Sequence, residues 1–168
     1  AIIAILLCGN QTLAQDVLLP YGDSWDAKYF YSNNSAIQPD NDWYEANFSD
    51  DTWDSISTPI NRTTAWKEFY STYWLRRHFV VDDEANYRDG DFYLFYACDG
   101  VAYLNGQKIY EWSGYHTSWV TITIDKSIME TIHKGDNVLA VRVKDNGGDT
   151  FIDFGLCAWN EQRNYYEL

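Results

Sequence analysis

Basic residues are scarce in this sequence of 168 residues, and their scarcity excludes several classes of partner. Only 12 lysine and arginine residues stand against 25 aspartate and glutamate residues, which gives a formal net charge of −13. Binding to nucleic acid requires cations that neutralise its phosphates, and an anionic membrane surface also attracts clustered cations. The charge balance therefore argues against both partners and favours a neutral one.

Cysteine, histidine and proline are also few, with three of each. No spacing of histidine and cysteine is typical of a zinc site, and no glycine-rich or serine motif is typical of phosphate binding or of a nucleophile. Adjacent acidic residues such as Asp50 and Asp51 fall in turn-like segments, where solvated charge is the simpler interpretation. The sequence thus predicts neither catalytic residues nor a cofactor. Calcium stays an alternative, because oxygen ligands are plentiful in the loops.

Long apolar runs are absent, since none approaches the about 20 residues of a membrane-spanning helix. Residues 1–7 are apolar, and Thr12-Leu-Ala14 is similar to a signal-peptidase site. We interpret residues 1–14 as a truncated signal peptide, and the protein as secreted or periplasmic and of bacterial origin. A short buried strand or helix is the alternative. In an oxidising compartment Cys98 and Cys157 would form a disulfide, or they would remain free and buried.

Aromatic residues are abundant, with 8 Trp, 14 Tyr and 8 Phe, and they occur in short strand-like segments. Asn105-Gly106 separates two such segments, and this dipeptide favours a two-residue hairpin turn because it accepts positive φ. About eight segments occur without a long helix: 25–31, 73–81, 92–98, 101–104, 107–112, 119–125, 138–144 and 151–159. This pattern predicts an all-β fold, a jelly-roll β-sandwich of about eight antiparallel strands, over residues 15–160. Residues 161–168 are interpreted as a tail or as the start of a following domain.

Four segments, in order, resemble the N-terminal sugar-binding domain of family 2 glycoside hydrolases, a galactose-binding-like jelly roll. They are Trp43 with Phe48-Ser-Asp-Asp-Thr-Trp53, Tyr73-Trp-Leu-Arg-Arg-His-Phe-Val-Val81, Ala97-Cys-Asp-Gly-Val-Ala-Tyr-Leu-Asn-Gly106 and Gly135-Asp-Asn-Val-Leu-Ala-Val-Arg-Val143. The resemblance covers about residues 25–159. One departure is Ser113-Gly114, where the family often carries two glycines.

The resemblance implies a role in support and recognition rather than in catalysis. In the family, the two catalytic carboxyl groups lie on a separate (β/α)₈ barrel, which takes about 250 residues. The chain would then be an accessory domain of a secreted glycoside hydrolase that binds neutral carbohydrate and contacts the barrel. A free-standing carbohydrate-binding module is one alternative, and a structural or protein-interaction sandwich without a sugar site is another.

A sugar site needs an exposed aromatic ring for stacking and polar groups beside it. The best candidate is the loop at residues 111–119, in which we predict Trp112 and Tyr115 as stacking platforms and His116 as a polar partner. Packing on the sandwich as a core or edge residue is the alternative for Trp112 and for Trp119. Two further candidates complete the predicted site: Asp149, whose loop reaches the active site in some members of the resembled family, and Trp66.

Overall fold

Eleven strands and one short helix make up the part of the chain that the computed structural model describes. The described residues are 15–22, 25–61, 70–82, 87–148 and 150–160. The strands are β1 Gln15–Leu19, β2 Trp25–Ser32, β3 Asp54–Thr58, β4 Ile60–Asn61, β5 Thr72–Val81, β6 Tyr87–Tyr96, β7 Asp99–Leu104, β8 Gln107–Trp112, β9 Val120–Thr123, β10 Gly135–Lys144 and β11 Phe151–Asn160, and the helix is α1 Lys126–Met129. The expectations for residues 1–14 and 161–168 concern segments outside the described residues. No described helix has the length and apolar character needed to cross a membrane.

The strands form two antiparallel sheets, as the sequence predicts for a β-sandwich. The six-stranded sheet has the order β3-β2-β5-β10-β7-β8, and the five-stranded sheet has the order β1-β11-β6-β9, with β4 also paired to β11. Strands β1, β3 and β4 are additional to the predicted segments. Strand β3 escapes prediction because it is an edge strand with mostly exposed side chains, and therefore lacks an apolar alternation.

Alternate residues of the long strands point between the two sheets. In β10, Leu139, Val141 and Val143 are fully buried, whereas Arg142 and Lys144 are exposed. The largest fully buried apolar side chains come from both sheets and from α1: Phe92, Phe154, Ile60, Leu75, Leu94, Leu104, Met129, Leu139, Ile152 and Leu156. Burial of each such side chain contributes about 1.5–3 kcal/mol, so this core holds the sheets together.

The outer face of the six-stranded sheet carries a second, smaller apolar cluster. Trp74 of β5 and Ala140 of β10 pack with Trp43 and Trp53 of the β2–β3 connection, which is residues 33–53. The connection therefore lies on the sheet and covers part of its outer face.

Arg76 ties the β2–β3 connection to β5. Its side chain is fully buried, and its Nε donates a hydrogen bond to Asp50 Oδ2 at 2.8 Å. Its two other nitrogens donate to backbone carbonyls of the connection, those of Trp43 at 2.6 Å, Glu45 at 3.0 Å and Phe48 at 3.2 Å. A single buried guanidinium thus satisfies one carboxylate and three carbonyl groups in the connection.

Asp50 makes the fold sensitive to acid. Burial raises its pKa, but hydrogen bonds from His78 and Arg76 outweigh that effect and hold the pKa below its ordinary value. Such a carboxyl stabilises the fold above its unfolded pKa, and the stabilisation is lost as the pH falls through the folded pKa. We therefore expect the free energy of unfolding, measured in urea, to fall below about pH 4. The free energy of unfolding should fall less steeply with decreasing pH in Asp50→Asn. Equal slopes against pH for the two proteins would show that Asp50 does not cause the sensitivity to acid.

Cys98 and Cys157 are both buried, and they do not form a disulfide with each other. Burial raises the pKa of Cys98 to about 12. The Cys98 thiol is therefore protonated at neutral pH and is a poor nucleophile, since the thiolate is the reactive form.

Candidate functional site

One end of the sandwich carries the loop that follows β8 and the loop that follows β10. At this end β5 begins at Thr72 and β10 ends at Lys144, and these two residues are register partners. Lys144 also pairs with Asp99, where β7 begins. Residues 113–119 follow β8 at the same end, and residues 145–150 follow β10. We call this region the loop end.

Residues 113–119 are anchored by backbone contacts that leave two predicted side chains in solvent. The contacts are a hydrogen bond from Gly114 N–H to Asp99 Oδ1 at 2.9 Å, a β-bridge between Tyr115 and Ala97, and a hydrogen bond from His116 N–H to the Tyr96 carbonyl at 2.8 Å. The side chain of Tyr115 is 74% exposed. His116 is also exposed, and its ring lies 5.9 Å from the ring of Tyr96. Both residues are therefore accessible to a ligand.

Trp112 is not exposed, so the prediction that its ring offers a stacking platform is wrong. Only 6% of the residue is accessible, and the ring packs 5.8 Å from Tyr96 and 6.4 Å from Phe92. Its register partner on β7 is Gly100, and the ring occupies the space where a Cβ at Gly100 would lie. The indole enters the sandwich because the opposing residue has no side chain.

Trp119 packs on the surface of the sandwich rather than in its core, so it agrees with the alternative of an edge residue. It is 38% exposed and lies on the outer face of the five-stranded sheet. Its ring is 4.7 Å from Tyr21 and 5.8 Å from Phe95, and both contacts are tilted. Trp119 and Tyr115 thus both present aromatic surface from the same loop.

A groove of about 830 Å³ lies beside this loop, and we call it the outer groove. Its volume is in the range of small-ligand sites, which is about 300–1,000 Å³. It is lined by Ser35, Gln38, Thr72, Trp74, Tyr96, Asp99, Gly100, Tyr110, Glu111, Trp112, Ser113, Arg142 and Lys144. The sequence did not point to Arg142 and Lys144 as site residues. The sequence feature that could have identified them is a pair of cations at positions i and i+2 of a strand, because this spacing places both side chains on one face of the sheet.

Two of the five predicted site residues, Trp66 and Asp149, lie outside the described residues. The loop that contains Asp149 begins with Asp145, which is fully buried. Asp145 Oδ1 accepts hydrogen bonds from the Gly147 N–H and the Thr150 hydroxyl, both at 2.7 Å. Asp145 therefore shapes this loop. Within the described ranges, no group of three or more His, Cys, Asp and Glu residues is arranged to hold a metal ion.

Solved structures share this fold, although no protein-family model and no curated protein matches the sequence. A β-glucuronidase from an uncultured Clostridium species matches 94% of this chain with a TM-score of 0.63 and 15% identity. The apo β-glucuronidase of Ruminococcus gnavus matches 93% with a TM-score of 0.62 and 12% identity. A glycosyl hydrolase family 2 member from Bacteroides cellulosilyticus matches 82% with a TM-score of 0.57 and 16% identity.

The matched region is a small part of each of those enzymes. It spans 31% of the two β-glucuronidase chains and 20% of the Bacteroides chain. Identities this low show a common fold alone. The fold is that of a β-sandwich found within larger glycoside hydrolases, which is consistent with an accessory domain.

Proposed function

We propose that this chain is a non-catalytic, carbohydrate-binding domain of a larger, secreted or periplasmic glycoside hydrolase of the family 2 type. The observation that carries the proposal is that the structural match spans 94% of this chain but only 31% of the β-glucuronidase chain. A β-sandwich of this size within such an enzyme leaves the larger part of the chain for other domains, including the barrel that performs the chemistry.

The loop end supports carbohydrate recognition. Tyr115 offers an exposed ring, His116 and Ser113 offer polar groups beside it, and the outer groove adjoins them. Aromatic rings stack on the C–H faces of sugars, while hydroxyl and imidazole groups hydrogen-bond to sugar hydroxyls. A neutral carbohydrate is the proposed partner at this loop. Trp112 packs against Tyr96, whose ring also lies beside His116. Asp149 and Trp66 are the two further proposed contributors.

Substitution of Tyr115 tests the carbohydrate site. We expect Tyr115→Ala to weaken binding of a neutral glycan by about 3- to 10-fold, because a stacked aromatic contact contributes about 0.5–1.5 kcal/mol. Calorimetric titration, after a glycan array has selected the ligand, measures the affinity. Val80→Ala is the matched control, since Val80 is 68% exposed at the opposite end of β5. Unchanged affinity in Tyr115→Ala would rule out this loop as the site.

The accessory role has a separate test in the gene. We expect the reading frame to continue past Leu168 into a barrel of about 250 residues with two carboxylates on its strands. A stop codon directly after Leu168 would reject the accessory role and favour a free-standing module.

A further inference from the structure

Tyr115 and Trp119 project from the same face of the five-stranded sheet. Tyr115 forms a β-bridge with Ala97, and opposite residues of an antiparallel pair point to one side of the sheet. Trp119 directly precedes β9, whose pairing with β6 places it next to Phe95, and the two rings lie 5.8 Å apart. Phe95 and Ala97 are two positions apart and therefore share a face. Both exposed rings thus lie beside β6 on the outer face of this sheet.

The indole of Trp119 is exposed but held in place. Its ring lies 4.7 Å from Tyr21 and 5.8 Å from Phe95. Tyr21 is itself stacked on Tyr93 at 4.4 Å, with 11° between the ring planes. Gly155 allows this stacking, because a Cβ at that position would lie 2.8 Å from the Tyr21 side chain. An exposed ring that is already fixed loses little conformational freedom when a ligand binds, which favours affinity.

The polar groups of this face are hydroxyls and a carboxylate. Thr121 and Thr123 follow Trp119 at alternate positions of β9, and both are exposed. The Thr123 hydroxyl donates a hydrogen bond to Asp91 Oδ1 at 3.0 Å. The outward positions of β9, and those of β6 from Asp91 to Phe95, contain no lysine or arginine. Aromatic rings beside hydroxyl groups, without cations, match the C–H faces and hydroxyl edges of a neutral sugar.

These polar groups favour a glycan over an apolar partner. A hydrophobic protein surface would remove water from the two threonine hydroxyls and from the Asp91 carboxylate without replacing the lost hydrogen bonds, which costs free energy. A sugar chain supplies hydroxyl groups that replace them. The face also adjoins Tyr115, where a neutral carbohydrate is the proposed partner.

The spacing of Tyr115 and Trp119 allows them to contact different sugar units. Their neighbours on β6, Ala97 and Phe95, are two residues apart in extended backbone, which corresponds to about 7 Å. Beyond Trp119, the outward residues of β9 are the two threonines, so this strand contributes no bulky side chain at that end of the surface. A ligand that covers both rings can therefore extend past them.

We propose that Tyr115 and Trp119 bind separate units of one linear, neutral polysaccharide, so that the domain recognises an internal segment of a chain rather than a single sugar. This inference rests on the proposed function and specifies its ligand. Trp119 is then a binding residue, and Tyr21 and Phe95 are the residues that position its ring.

Oligosaccharides of increasing length test whether more than one unit is bound. The probes are cello-, xylo-, manno- and laminari-oligosaccharides of one to six units, each titrated into the chain by calorimetry. The variants are Trp119→Ala, Trp119→Phe, Tyr115→Ala and the double variant Tyr115→Ala, Trp119→Ala. Val80→Ala is the control, because Val80 is exposed on β5 of the other sheet. Circular dichroism checks the folding of each variant.

We expect at least one of these series to bind, with an affinity that rises about 10-fold or more from two units to six. Trp119→Ala should lower the affinity for the six-unit chain about 3- to 10-fold, because it removes one stacked ring. Trp119→Phe should keep most of that affinity, since a ring remains. The double variant should bind more weakly than either single variant, and Val80→Ala should bind within about twofold of the unaltered chain.

Three results would overturn the inference, and they separate it from the proposed function. If a monosaccharide binds as tightly as the six-unit chain, the site holds one unit, while the carbohydrate-binding role stands. If Tyr115→Ala weakens binding and Trp119→Ala does not, Trp119 is outside the site. If neither these series nor a neutral glycan array shows binding, both proposals fail, and a dimer that Trp119→Ala disrupts in sedimentation velocity would identify the face as an interface between two copies.

Discussion

Replacement of Arg76 by methionine is expected to lower the free energy of unfolding by about 3–5 kcal/mol, because it leaves the Asp50 carboxylate with His78 as its remaining partner and removes the donor to three backbone carbonyl groups. Arg76 is fully buried, and it satisfies the Asp50 carboxylate and three carbonyl groups of the β2–β3 connection. Methionine fills much of the same space but donates no hydrogen bond. Urea denaturation monitored by tryptophan fluorescence measures the change, since Trp43, Trp53 and Trp74 surround the site.

Arg142→Met is the matched control for this prediction. Arg142 lies on the outer face of the neighbouring strand β10, as Arg76 does on β5, but it is exposed and forms no ion pair within the described part of the chain. We expect its substitution to change stability by no more than about 0.5 kcal/mol. The double variant Arg76→Met, Asp50→Leu should recover part of the lost stability, because it also removes the carboxylate that has lost its bond to Arg76. Equal stability losses in Arg76→Met and Arg142→Met would refute the role given to Arg76.

Replacement of Trp112 by alanine should also lower the free energy of unfolding by about 3–5 kcal/mol, which is the usual range for the removal of a large buried aromatic side chain. The ring fills the space above Gly100 and contacts Tyr96 and Phe92 inside the sandwich. Trp112→Phe should lose less stability than Trp112→Ala, because a phenyl ring keeps part of the contacts that the indole makes. Thermal denaturation of both variants measures the difference.

Trp119→Ala provides the comparison for Trp112, since it removes an indole of which 38% is exposed. Trp119→Ala should lose clearly less stability than Trp112→Ala. A larger loss in Trp119→Ala would contradict the finding that Trp112 is the buried residue and Trp119 the partly exposed one. A loss of glycan binding in Trp112→Ala would report damage to the fold. Tyr115→Ala is therefore the appropriate variant for probing the site.

The features that the sequence predicts correctly depend on neighbouring residues. Asn105 and Gly106 both have positive φ, 48° and 86°, as the two-residue hairpin turn between β7 and β8 requires. The alternation of buried and exposed residues in β10 is likewise a property of one strand. Such patterns follow from local backbone geometry, and they were sufficient to predict an all-β sandwich.

The features that escaped prediction depend on contacts between distant segments. Trp112 is buried because Gly100 lies opposite it, and this pairing requires the register of β7 and β8, which is interrupted by an irregularity between Ala102 and Tyr103. The exposed Tyr115 and the buried Trp112 lie three residues apart and are indistinguishable by composition. The pairing of Arg76 with Asp50 joins residues that are 26 positions apart in the chain. No local pattern encodes these contacts.

Strand β10 separates the residues that stabilise the domain from residues that line the outer groove. Its odd-numbered residues Leu139, Val141 and Val143 fill the core, while Arg142 and Lys144 face the outer groove. Substitutions at the two even-numbered positions leave every core contact of the strand in place. Ligand preference could thus change, by natural drift or in a selected library, without the compensating mutations that a destabilised scaffold demands.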